Sequence, residues 1–293
     1  MKRKAIIMSF AAISGLLFCQ TNVFADGVKE TPFLSLGADL KASEKKKVLE
    51  LLNVDQNDLD EYTVIEITNK DEHEYLDDYL SASVIGSRAL SSVLIKKEEK
   101  GSGIEVTTKN ITYCTEGMYQ NALTTAGVTD AEVVVAGPFE ITGTAALVGA
   151  MKAYEDMTGA EISEASKDAA TNELIVTGEL AEKLKDSDKA EQFLALIKEK
   201  VLEENLKDTE EIESVIDDCA SQMDINITEE QQKEIAALME KINDLDLDID
   251  ELKKQAGDIY DKLSKMDLDT TDFFKKVKGI LNKILDTLSS WLG

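Results

Sequence analysis

The chain is poor in the residues from which many active centres are built. It has one histidine (His73), three cysteines, two prolines and one tryptophan, and aromatic residues make up only 5% of it. One histidine excludes zinc sites that need several imidazoles, and leaves His73 as the only residue around which a Ser–His or Cys–His relay can form. Positive charge is also scarce: 32 Lys and Arg face 58 Asp and Glu, a net charge of −26. Nucleic acid is bound by cationic side chains that neutralise phosphate, so a field of this sign excludes it as a partner. After residue 25 no run of 18 apolar residues occurs, and Pro138 and Glu140 interrupt the best candidate. With 43% hydrophobic and 31% charged residues over 293 positions, the composition suits a folded chain of one or two domains.

What is present begins with a leader. Lys2-Arg3-Lys4 precede an uncharged, largely apolar stretch from Ala5 to Phe18, and Val23-Phe24-Ala25 places small residues at both recognition positions before Asp26. Residues 1–25 read as a secretory signal peptide, too short and wrongly flanked for a spanning helix. The expectation is a secreted protein on the extracellular side of the cell envelope. Cys19 follows bulky Phe18, where attachment of a lipid anchor prefers a small residue, so it is expected to leave with the leader. Cys114 and Cys219 then remain, either bridged in an oxidising compartment or buried separately as free thiols, the favoured reading.

Residues 26–159 read as an α/β domain, a layered sheet covered by helices. Ser43 is expected to cap a helix through Val48, Leu49, Leu51 and Leu52. Tyr62 to Thr68 reads as a strand and Asp71 to Leu80 as a short helix. Arg88–Lys97 and Ile104–Tyr113 are β-like runs around Glu98 to Gly103, which predicts a hairpin. Thr115 starts a helix with Gly127 as its left-handed C-terminal residue. Val133–Ala136 reads as a buried strand stopped by Gly137-Pro138, and Thr144–Met157 as an Ala-rich helix. Residues 160–293 form an all-α, bundle-like module. Apart from a brief β signal at Leu174-Ile175-Val176, it reads as helices over Gly178–Leu202, Thr209–Met223, Thr228–Asn243, Asp248–Met266 and Thr270–Leu292. Asp246-Leu247-Asp248 recurs as Asp267-Leu268-Asp269, each with an acidic residue three positions on and a hydrophobic pair across the cap. The 3–4 apolar spacing from Ile235 to Met266 also permits one long helix, but the aspartates at 244–248 favour a break.

Gly37-Ala38-Asp39-Leu40, Ile85 to Ser92, Asn110 to Thr112, Met118 to Leu123 and Thr142 to Leu147 occur in an order and spacing that resembles the YpuA-like family of exported Gram-positive bacterial proteins, whose function is uncharacterised. The resemblance spans essentially all of the chain beyond the leader. Ser87 and Tyr113 depart from the threonine and tryptophan typical of that family. Membership implies export and a two-module layout, and carries no reaction, ligand or catalytic residue.

Several residues invite chemistry. Arg88 is the single arginine beyond the leader, and its planar fork suits a carboxylate or phosphate, with Ser87 beside it. An ordinary ion pair is the favoured reading. Thr142-Gly143-Thr144 sits at a strand-to-helix junction where free N–H groups can hold an anion, although a simple helix cap explains it as well. The aspartate runs fail the calcium-loop pattern at the glycine and glutamate positions, so no metal is expected, and no cofactor motif is found. Ser43-x-x-Lys46 lacks its companion motifs, and His73 stands on an acidic face with none. Phe273, Phe274, Val277, Ile280, Leu281, Ile284, Leu285, Leu288 and Trp291 form one apolar stripe opposite lysines, which can close the helical core, dock a partner or lie on a membrane surface. The expected role is a non-enzymatic interaction with an unknown protein or envelope component. The alternatives are an envelope hydrolase with a site around Arg88 and Asn110, and membrane attachment through residues 271–293.

Overall fold

Five strands form one mixed sheet in the order β2-β1-β3-β5-β4. In a computed structural model that describes residues 31–80 and 82–264, these are β1 (Phe33–Gly37), β2 (Thr63–Ile67), β3 (Ser92–Lys97), β4 (Ile104–Ile111) and β5 (Ala131–Ile141). The leader and the stripe from Phe273 to Trp291 lie outside the described residues. β1 runs parallel to β2 and antiparallel to β3, while β5 is antiparallel to β3 and parallel to β4. Helices α1 (Ala42–Leu52), α2 (Asn69–Leu76), α3 (Ala82–Ile85), α4 (Glu116–Thr125) and α5 (Thr144–Thr158) fall between and after the strands. Alternate residues of the inner strands supply two cores, as the two-residue side-chain period requires. Leu34, Leu36, Leu94 and Ala136 pack with Val48, Leu49 and Leu52 of α1. Phe33, Val93, Ile95, Val133 and Val135 pack with α4 and α5 on the opposite face.

Helices α6 (Glu164–Leu184), α7 (Ser187–Glu204), α8 (Thr209–Met223), α9 (Glu229–Asn243) and α10 (Ile249–Ser264) make up the remainder of the described chain. α9 and α10 are separate helices. Asp248 ends the break between them by accepting the Glu251 N–H at 3.1 Å, so the aspartate-rich segment acts as a cap and not as a helix interior. The α/β class followed by a helical array is what the sequence predicts.

Five local expectations are corrected. β3 and β4 are not a hairpin, because β5 lies between them. Their connection must cross two strand spacings, roughly 10 Å, which a tight turn cannot do. The loop instead wraps the start of β5. Asp130 Oδ1 accepts the N–H groups of Gly101 and Gly103, and its carbonyl accepts that of Glu98. Pro138 does not stop β5. The pairing with β3 ends at Ala136, so Pro138 stands where β5 has only β4 beside it and no ladder bond to β3 is lost. Leu174–Val176 is helical, being apolar all round because α6 is covered on both sides: Leu174 and Ile175 join the sheet core, Val176 the helical one. The span Gly178–Leu202 is two helices, broken at left-handed Lys185, with Asp186 capping α7 through the Lys189 N–H. The N-cap of α1 is Lys41, not Ser43.

Candidate functional site

In open α/β sheets ligands gather at the carboxyl ends of the strands. Here β1 ends at Gly37, β2 at Ile67, β4 at Ile111 and β5 at Ile141, and β3 begins at the same edge with Ser92. Three of the segments singled out in the sequence, Gly37–Leu40, Ile85–Ser92 and Thr142–Leu147, meet there. Gly37 lies so close to the following loop that a Cβ would stand 2.4 Å from the Ala89 carbonyl oxygen. Its N–H donates to Ser92 Oγ at 3.1 Å, Ala89 N–H to Asp39 Oδ2 at 2.8 Å, and Ala146 N–H to Ser91 Oγ at 2.9 Å.

Arg88 crosses this edge to α1. Its Nη2 donates to Glu44 Oε2 at 2.5 Å and to the Asp39 carbonyl at 2.8 Å, and Nη1 reaches Glu44 Oε1 at 3.3 Å. The fork is therefore filled by a carboxylate of the chain itself, and the guanidinium bond holds the Glu44 carboxyl below its usual range. Ser87 is exposed beside it.

The Thr142–Thr144 junction is tied down in the same way. Gly143 is the N-cap of α5 with φ +102°, and a Cβ there would stand 2.6 Å from Ile111 Cγ2 and 2.7 Å from the Tyr119 oxygen. Tyr119 donates to the Gly143 carbonyl at 2.5 Å, and Cys114 N–H to that of Thr142 at 3.1 Å. Thr144 is buried and donates to Glu72 Oε1 at 3.1 Å. Glu72, itself 2% exposed, is strongly shifted: burial pushes it up to about 7, against the Asn69 and Thr144 hydrogen bonds. So the structure brings Arg88, Thr142, Gly143 and Thr144 to one edge of the sheet, but around the chain's own carboxylates and carbonyls.

The remaining candidates are likewise engaged by the chain itself or enclosed in it. His73 faces outward with Nδ1 2.6 Å from Asp77 Oδ1, a partner that raises its pKa. Asn110, left-handed at the irregular register between β4 and β5, donates to the Gly137 carbonyl at 3.0 Å. Cys114 and Cys219 are both free and buried, and burial pushes the Cys114 thiol up to about 12. A thiol held protonated in this way is a poor nucleophile. Among the described residues no group of three or more His, Cys, Asp or Glu is placed to hold a metal, and no helix is long and apolar enough to cross a membrane.

Sequence reasoning missed the buried charges. Glu173 and Lys198, both fully enclosed, pair at 2.8 Å, and Glu191, also buried, takes the Thr115 hydroxyl. Burial pushes Glu191 up to about 8. One signal was available. Glu173 precedes Leu174-Ile-Val and Lys198 follows Leu196-Ile197, and a charge embedded in an apolar run asks for a buried partner.

Comparison with known proteins agrees with the resemblance. The pattern of a family described as a protein of unknown function (DUF1002) matches residues 36–259. The uncharacterized protein YpuA of Bacillus subtilis (strain 168) is 41% identical over 256 residues, which is 87% of this chain and 86% of that protein. No solved structure shows significant similarity.

Proposed function

The chain belongs to the DUF1002 family of proteins of unknown function, and we propose that it is exported through residues 1–25 and acts at the cell envelope by binding a partner, without catalysing a reaction. The observation that carries this reading is the state of the sheet's carboxyl edge. Arg88 is taken by Glu44 and Asp39, Thr144 by Glu72, Ser91 by the Ala146 N–H and Asn110 by Gly137. Groups committed to the fold in this way rigidify a surface, and a rigid, strongly acidic surface suits complementary association better than proton or group transfer. Crosslinking and pull-down from intact cells tests it. The expected result is a specific envelope component crosslinked to the processed chain. A hydrolytic activity against wall polymers that disappears in a folded Arg88→Ala variant would overturn it, as would recovery of the chain from the cytosol with residues 1–25 intact.

The apolar stripe from Phe273 to Trp291 supports a second reading, attachment to a membrane surface. Co-sedimentation with vesicles by the full chain, but not by a chain ending at residue 270, is the expected result. Equal behaviour of the two would reject it.

A further inference from the structure

The sheet has two outer strands, β2 and β4, and their free sides differ. An outer strand offers unpaired main-chain groups to any approaching strand, and folded chains usually block that side with charges, bulges or covering side chains. β4 is blocked. Ala131 N–H donates to the Gly103 carbonyl, so in the parallel register the main chain of Ile104, Val106 and Thr108 points away from β5. Gln120 Nε2 covers the Ile104 carbonyl at 3.0 Å, Glu116 Oε1 takes the Thr108 N–H at 3.0 Å, and the register is irregular at left-handed Asn110.

β2 has no such cover. Thr63 N–H donates to the Pro32 carbonyl at 3.0 Å and Ala38 N–H to that of Ile67 at 2.8 Å, which fixes Thr63, Ile65 and Ile67 as the residues bonded to β1. The N–H and C=O groups of Val64 and Glu66 therefore face away from the sheet, and among the described residues no strand pairs with them. β2 contains no lysine, proline or bulge. Val64 and Phe139 are the exposed large apolar side chains among the described residues, Val64 at 39%.

The charge beside β2 is of one sign. Asp55, Asp58, Asp60, Glu61 and Glu66 fall within twelve residues that include no lysine or arginine, and all five are exposed. The two faces of the strand also differ: Ile65 and Ile67 join the apolar clusters on the α5 face, whereas Val64 and Glu66 look to solvent. An added strand that is apolar on the first face and carries lysines on the second matches both. Its ammonium groups meet Glu61 and Glu66, and its lysine stems cover Val64. A second copy of this chain fits poorly, because pairing β2 with itself sets like charges along the seam. We propose that β2 captures an extended, lysine-bearing segment of a partner protein as a sixth strand, through the main-chain groups of Val64 and Glu66. This rests on the binding reading above and names where the partner sits and what it carries.

The test uses the full chain without residues 1–25 and a capped six-residue peptide of alternating lysine and valine. Amide hydrogen exchange is followed by NMR. Saturable slowing at Val64 and Glu66, about tenfold or more, is expected with this peptide. It is not expected with a glutamate–valine peptide, nor with a lysine–valine peptide N-methylated along one side. Val64→Pro loses no bond to β1, because that N–H faces outward, and is expected to abolish the slowing at Glu66. Glu66→Lys, at an exposed position, is expected to weaken binding about tenfold. No slowing with the lysine–valine peptide, equal slowing with either control peptide, or undiminished binding by both variants would overturn the proposal. So would slow exchange at Val64 and Glu66 without peptide, which would mean that this chain or a second copy already fills the site. A partner recovered by pull-down despite such a failure would leave the binding reading standing and place the contact elsewhere.

Discussion

The enclosed pair of Lys198 and Glu173 gives the sharpest test of how the helical array is fixed to the sheet layer. Lys198 has three N–H donors and three acceptors: Glu173 Oε1 at 2.8 Å, Thr125 Oγ1 at 3.1 Å and the Asn121 carbonyl at 3.2 Å. The second carboxylate oxygen takes the Thr125 hydroxyl. Three helices, α4, α6 and α7, are thereby joined through one satisfied network at 0% exposure. Lys198→Met leaves a buried carboxylate with a single neutral donor, and Glu173→Leu leaves a buried ammonium with two neutral acceptors. Each is expected to cost about 3–5 kcal/mol, the usual consequence of orphaning one member of an enclosed pair. In the double variant both charges are gone. What remains is the unmet hydrogen bonding of Thr125 and Asn121, about 1–3 kcal/mol. The double variant is therefore expected to be more stable than either single one. Urea unfolding followed by far-ultraviolet circular dichroism measures all four corners of the cycle. Single losses below about 1 kcal/mol, or a double loss equal to the sum of the singles, would refute the account.

Glu191 supplies a pH dependence whose sign is fixed by its burial. Its carboxyl is raised from an ordinary 4.5 to about 8, so the folded chain holds a proton that the unfolded chain releases. The associated stability is complete below about pH 4.5 and is lost as pH rises towards 8. Glu191→Gln is expected to flatten the fall in urea midpoint between pH 5.5 and 8.5 relative to the parent chain, and an unchanged slope would refute this. Gly143→Ala forces a side chain into a left-handed position against Ile111 and Tyr119, and is expected to cost about 1–3 kcal/mol by thermal or urea unfolding. A neutral result would mean that the α5 start is not as tightly held as Thr144 and Tyr119 imply. A fragment ending at residue 159 removes Ile162, Ala170, Leu174 and Ile175 from the sheet core. It is expected to bind a hydrophobic dye and lose cooperative unfolding, where an independent domain would not.

Much of the architecture was legible because it rests on local signals. The helix starting after Thr115 and ending before Gly127, the apolar Val133–Ala136 run, the start at Thr144 and the break before α10 each follow from a cap, a period or a backbone requirement within a few residues. What the sequence did not disclose depends on neighbours far along the chain. No pattern within Arg88–Tyr113 indicates that a strand some twenty residues later will separate the two runs. Only the resulting order explains why the valines of β5 are apolar on successive positions and why Pro138 is tolerated. The candidate site shows the same division. The sequence marked Arg88 and Thr142–Thr144 as chemically distinctive, and they do converge on one sheet edge. Their partners, Glu44, Asp39 and Glu72, were invisible as such, because an acidic residue in a chain with 58 of them carries no information until its neighbour is known.

The placement of α6 decides how the two halves relate. Its Leu174 and Ile175 belong to the core under the sheet, and Ala169, Val176, Leu180 and Ala181 to the core among α7, α8 and α9. A helix with apolar residues on two faces has to be covered on both, so each half supplies a wall that the other half needs. The Glu173–Lys198 pair adds direction to that contact. An apolar seam of this kind tolerates sliding, whereas a charge pair held by three further hydrogen bonds to Thr125 and Asn121 favours one register. The buried charges missed in the sequence are thus explained by position: they sit where two apolar layers would otherwise be free to choose their alignment. The sheet layer and the helical array are on this reasoning held together through one shared helix, α6.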